Sequence, residues 1–327
     1  MIGRLWCSVI ITMLASTSGV ADEAPYAVVG RVPAHVANGP LNRFHFDPVA
    51  RRVYAPNGNG VYWVDMQSAE PMLNGPLLFK RPGLIAIAPD VGRMYFASDD
   101  GFGFLNLRGA EPPTFLTREG WRGGSLVYER IRHEIYAPTR NLGDRIAVYN
   151  ADTGAPVTEL ALPGGGVNLL QAAPGQVFFS LSGAFGLHVI DATTRTVSPW
   201  PVDGARVAPR RIEVEPSGRI MIAAYDRHLV AIDIPSARTI AQLPAVGLQS
   251  FAFDPARRAV VVAIQDPPDH PRVHLRVYAL GTDAFTLMST LKNPAEDTGW
   301  LVSTTDGFLQ RTRDSLLVWK ARPAESR

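Results

Sequence analysis

The chain has 327 residues, 46% of them hydrophobic, with 32 basic against 30 acidic side chains and a net charge of +2. That balance gives no general attraction to nucleic acid. The one cysteine, Cys7, lies near the amino end, so the rest of the chain has no disulfide, no thiol nucleophile and no Cys metal ligand.

The first segment reads as a secretory signal over residues 1–21. Arg4 supplies the positive end, Leu5 to Ala15 the apolar run, and Gly19-Val20-Ala21 the small residues of a cleavage site. The apolar run is shorter than the roughly 18 to 20 residues that cross a bilayer. Cleavage before Asp22 is expected, with a periplasmic or secreted destination and no membrane-spanning segment afterwards. Residues 22–327 are then expected to form a single domain.

From there one plan recurs. Phe44 to Ser68 holds two short apolar runs on either side of Asp47-Pro48, a turn at Asn57 to Gly60, and a third run closed by Asp65. These read as three strands and their turns. At a spacing of about 40 residues, typical of propeller blades, the stretch Phe46 to Pro56 returns as Ile87 to Ala97 and again as Tyr128 to Pro138. A fourth copy turns at Ala173-Pro174-Gly175, a fifth at Glu215 to Gly218 and a sixth at Asp254-Pro255. A seventh, Leu301 to Trp319, has Thr305-Asp306-Gly307 in place of proline.

Strand C of several copies ends in Asp or Asn with a hydroxyl three positions on: Asp65 and Ser68, Asn150 and Thr153, Asp191 and Thr194, Asp233 and Ser236. Such a side-chain oxygen accepts backbone N–H bonds and fixes the turn into strand D, a structural role. The runs are almost continuously apolar, as expected of sheets buried on both faces by neighbours in a ring. The fold class is therefore all-β, a seven-bladed β-propeller of four-stranded blades. The last copy lacks its outer strand, and Tyr26 to Val32 stands unused at the other end. Pairing that run beside Ser315 to Trp319 closes the ring and covers an open edge.

The copies resemble the repeats of YVTN-type seven-bladed β-propellers, on Ile85 to Pro89 with Asp90, Val53-Tyr54-Ala55, Phe251 to Pro255, and His188-Val189-Ile190-Asp191 with Thr194. The resemblance covers Tyr26 to Lys320. Propellers of that kind include sugar-lactone hydrolases, heavy subunits of quinoprotein amine dehydrogenases and binding proteins without chemistry.

Alternating strand direction gathers the D–A and B–C connections at one end of the ring, where the sequence varies most between copies. The residues that open or follow the innermost strands there are Asn42, Arg43, His45, Asn168, Gln171, Arg211, Glu213, Gln249 and Trp300. They are the candidate ligand-binding mouth. Arginines among them suit a small anionic or polar ligand, which a guanidinium binds with paired hydrogen bonds. The chain has no G-x-S-x-G elbow, no phosphate loop and no H-E-x-x-H pair.

The leading expectation is a monomeric scaffold that binds a ligand or protein partner through the D–A/B–C end, without a cofactor. The alternatives are a lactonase-like hydrolase with Ca or Zn held near Glu213, Asn168 and Asn42, or a structural subunit of a periplasmic redox complex.

Overall fold

The computed structural model describes residues 24–33, 44–57, 60–68, 72–77, 82–118, 125–139, 144–164, 166–181, 186–201, 208–265, 272–293, 300–312 and 315–322. The expected leader and the mouth residues Asn42 and Arg43 lie outside them. Among the described residues there are 28 strands and no helix, arranged as seven four-stranded sheets.

Blade 1 comprises His45–Asp47, Arg52–Asn57, Gly60–Asp65 and Leu73–Leu77 as strands A to D, each antiparallel to the next. Strands A of blades 2 to 7 are Pro82–Ala88, Val127–Glu129, Val167–Ala173, Arg211–Val214, Leu248–Asp254 and Leu301–Ser303. These strands gather around the ring axis.

The ring closes as the leftover run required. Strand Tyr26–Pro33 pairs antiparallel with blade 7 strand C, Ser315–Ala321, setting Val28 opposite Trp319 and Pro33 opposite Ser315. The register slips once, between Val28 and Gly30. Beyond the strand, the Arg322 amide donates to the Pro25 carbonyl at 2.9 Å.

The apolar runs are explained by their division between two neighbours. In blade 5 strand B, Ile220–Ala224, all five residues are buried. Ile220, Ile222 and Ala224 pack against blade 6, while Met221 and Ala223 pack against blade 4. Successive side chains of a strand point to opposite faces, so a blade between two others needs apolar residues at every position. Each of seven hydrophobic clusters joins one pair of adjacent blades, including blade 7 with blade 1.

The turns follow the expected chemistry. Asp191 Oδ1 accepts the Thr193 and Thr194 amides, both at 2.8 Å, and these bonds hold its carboxyl below the usual range. Asn150 Oδ1 accepts the Asp152 and Thr153 amides, and Asp233 Oδ2 accepts the Ser236 amide and hydroxyl. The A–B turns place one residue in the left-handed region: Gly92, Gly175 and Gly218 in blades 2, 4 and 5, but Arg51, His133 and Arg258 in blades 1, 3 and 6. Glycine takes that conformation without steric cost, so the non-glycine turns depend on neighbouring bonds to hold them.

Candidate functional site

Arg211 and Glu213 stand two apart in blade 5 strand A and so share one side of it. Their side chains are 20% and 17% exposed and pair with each other. Arg211 also donates to Ser250 Oγ of blade 6 at 2.7 Å and to the Leu301 carbonyl of blade 7 at 2.9 Å. Its guanidinium lies 4.9 Å from the centre of the Phe251 ring. Glu213 Oε2 accepts the Ser303 hydroxyl at 2.7 Å and the Phe253 amide at 3.1 Å. Ser303 Oγ in turn accepts that amide at 2.8 Å, and Ser250 Oγ accepts the Leu301 amide at 3.0 Å.

The cluster therefore clasps the inner strands of blades 5, 6 and 7. Both Glu213 oxygens are already bonded inside the protein, and Arg211 has three of its five donors on protein acceptors.

The other mouth residues are spread around the ring. His45 and Gln171 are half-buried in strands A of blades 1 and 4, opposite Tyr54 and Phe178. Asn168 and Gln249 occupy the irregular position near the start of strands A in blades 4 and 6, where Gly83 sits in blade 2. A bulge at this recurring point re-aims the strand at the end of the ring. Gln249 is exposed and donates to Gln265 Oε1 at 2.8 Å. Trp300 precedes blade 7 strand A, its carbonyl accepting the Arg311 amide at 2.9 Å. Among the described residues, no group of three or more Cys, His, Asp or Glu side chains is placed to hold a metal ion.

The same end carries an exposed rim. Val246, in the D–A connection of blade 6, is 72% exposed, and Trp300, in that of blade 7, is 48% exposed. Beside them on blade 5, Arg210 pairs with Asp226 at 2.5 Å and Tyr225 stacks on His228. Other exposed apolar side chains lie on the opposite end, as Val49 and Ile131 do, or on outer strands, as Leu287 and Met288 do.

The sequence did not mark Ser250 and Ser303 as partners of the Arg211–Glu213 pair. The available signal was a hydroxyl interrupting an apolar strand A, in Gln249-Ser250-Phe251 and Val302-Ser303-Thr304. It also missed Glu134, 5% exposed at the side chain, which carries Arg195 of the next blade.

These features define a seven-bladed β-propeller fold. No protein-family model and no curated protein matches the sequence. Among solved structures, the chain is similar to the Cps50 (Swd1) β-propeller domain of Myceliophteria thermophila. That match has a TM-score of 0.68 and 12% identity, over 91% of this chain and 100% of that one. The WD40 β-propeller domain of Doa1 matches at 0.65 and 10% identity, over 93% and 99% of the two chains. A chain of the Mitotic Checkpoint Complex matches at 0.65 and 10%, over 98% and 100%. At these identities the likeness concerns the fold. Among the described residues no helix is long and apolar enough to cross a membrane.

Proposed function

We propose that this chain is an exported protein-interaction scaffold, a YVTN-type propeller whose D–A/B–C end receives a protein partner. The observation that carries the reading is the placement of exposed Val246 and Trp300 on adjacent blades at the end where the connections vary most between copies. The inner arginine and glutamate beside them are bonded to their own chain. Tryptophan supplies a large contact area with few rotamers to freeze and is enriched among residues that dominate interface energy. A rigid ring beneath it removes much of the ordering cost of binding. The membership of one structural neighbour in a protein complex supports the same direction.

Export rests on the leader read from residues 1–21. Mass measurement of the protein from its native cells tests it, with a mature chain starting at Asp22 as the expected result. The interaction is tested by isolating partners on the wild-type protein and measuring their affinity for a Trp300→Ala, Val246→Ser variant. Loss of a central aromatic contact costs about 2 kcal/mol, roughly 30-fold in affinity. A partner that binds the variant as tightly as wild type would remove this face from the reading.

A further inference from the structure

A cavity of about 540 Å³ opens on the outer wall, between the outer strand of blade 6, Phe285–Leu291, and the closing strand Tyr26–Pro33. Its floor is apolar: Leu291, Leu317 and Trp319 are buried at 2%, 4% and 3% exposure, and Val28 forms an edge at 39%. Trp319 is held by its Nε1–H bond to Gln310 Oε1 at 3.0 Å and by stacking on Phe308, so the floor is preformed.

Among the described residues, the charged groups of the wall have one sign. Arg31, Lys292 and Arg322 line the cavity, and none of its lining residues among those described is a carboxylate. Strand direction sets Arg31 and Lys292 toward one end of the groove, since Lys292 follows strand D of blade 6 and Arg31 pairs with Leu317. Arg31 spends its Nε–H on Ser315 Oγ at 3.1 Å, which fixes the plane of the guanidinium and orients its amino groups. Arg322 lies past the far end of the paired strands.

An apolar trough with two of its three cations at one end favours an anionic group there on an otherwise apolar ligand. The volume falls within the roughly 300 to 1,000 Å³ usual for small-molecule sites. We propose that this groove binds an amphipathic organic anion, a carboxylate with an aliphatic body. The carboxylate sits between Arg31 and Lys292, and the body lies along Val28, Leu291, Leu317 and Trp319. The assignment does not depend on the interaction reading.

Calorimetric titration of the purified protein with decanoate tests the assignment, with decanol, decylamine and acetate as comparisons. Decanoate is expected to bind with one site per chain, at least tenfold more tightly than any of the three. Replacing a charged hydrogen-bonding partner weakens such a contact by about tenfold or more. Lys292→Gln and Arg31→Gln should each do so for decanoate while leaving decanol unchanged. Lys292 is exposed at a strand end, so its variant keeps the test valid if Arg31→Gln disturbs closure through Ser315. Equal binding of decylamine, binding untouched by Lys292→Gln, or no decanoate binding would overturn the proposal.

Discussion

The Tyr26 hydroxyl donates a 2.8 Å hydrogen bond to Asp254 Oδ2, joining residues 228 apart in sequence and buried to 2% and 3% exposure. Tyr26 belongs to the strand that completes blade 7, and Asp254 to the A–B turn of blade 6, where its other oxygen accepts the Arg257 amide at 3.1 Å. One carboxylate thus fixes a turn and latches the strand that closes the ring. Burial, and then the Asp254 charge, raise the phenol pKa, so Tyr26 remains a donor throughout the physiological range. Tyr26→Phe leaves the buried carboxylate short of a partner and should cost about 1–3 kcal/mol. Urea unfolding reads this as a lower midpoint at unchanged slope; an unaltered midpoint would show that the latch contributes nothing to closure.

Between blades 3 and 4, Arg195 donates at 2.6 Å both to Glu134 Oε2 and to the Tyr136 hydroxyl, and it also bonds Glu134 Oε1. The bond to Glu134 raises the guanidinium pKa further above its ordinary value. Arg195→Met removes the cation and leaves a nearly buried carboxylate with only the Tyr136 hydroxyl at 3.1 Å. Loss of one partner from such a pair costs on the order of 3 kcal/mol. Adding Glu134→Gln to that variant should recover part of the loss, measurable as a double-mutant cycle in denaturant.

The C–D turns of blades 3 and 5 use the same backbone with different residues. Gly154 has φ 78° and Ala237 has φ 53°. Left-handed backbone costs a non-glycine residue roughly 1–2 kcal/mol, against about 0.5–1 kcal/mol for the greater freedom glycine loses. Ala237→Gly relieves that strain but gives up a half-buried methyl packed on the cluster between blades 4 and 5, so it should change stability by less than about 0.5 kcal/mol. A methyl added at Gly154 would meet Leu116 Cδ2 at 2.9 Å and Phe104 Cε1 at 3.0 Å, in addition to the unfavourable φ. Gly154→Ala should destabilise by about 1–3 kcal/mol, and its thermal melt should fall well below that of Ala237→Gly.

His188 gives the protein an acid-sensitive point. The ring is 7% exposed on strand C of blade 4, stacked 5.3 Å from Phe179, and burial lowers its pKa below the ordinary 6.5. The unfolded chain therefore takes up the proton first. The folded state is at full stability above the unfolded pKa and loses stability as pH falls through it. Melting temperatures taken between about pH 7.5 and about pH 5.5 should fall more steeply for wild type than for His188→Gln, which has no ring to protonate. Parallel profiles would assign the acid sensitivity to other groups.

The blade pattern was legible because it is written in local terms. Asp47, Pro89 and Gly175 mark turns whose geometry few residues satisfy, and the runs between them are apolar at every position because both faces are packed. Closure was legible as a surplus strand at one end and a missing one at the other. The site was legible by position and not by bonding. Arg211 and Glu213 could be placed on one face of an inner strand, yet their partners Ser250, Phe253, Leu301 and Ser303 come from two other blades. Those bonds depend on the offset between neighbouring sheets, which no single repeat encodes. Asn42 and Arg43 fall outside the described residues, so their part in the mouth stays an expectation.

The proposed working surface is one end of the ring, where the D–A and B–C connections gather. Val246 and Trp300 at that end are 72% and 48% exposed, and Val49 and Ile131 at the other are 60% and 61% exposed, so accessibility alone does not favour either pair. A photoreactive residue placed at each of these four positions in turn and irradiated in the native cells distinguishes the two ends. A discrete cross-linked protein is expected from positions 246 and 300 and none from 49 and 131. Cross-links from 49 and 131, or none from any of the four, would contradict it.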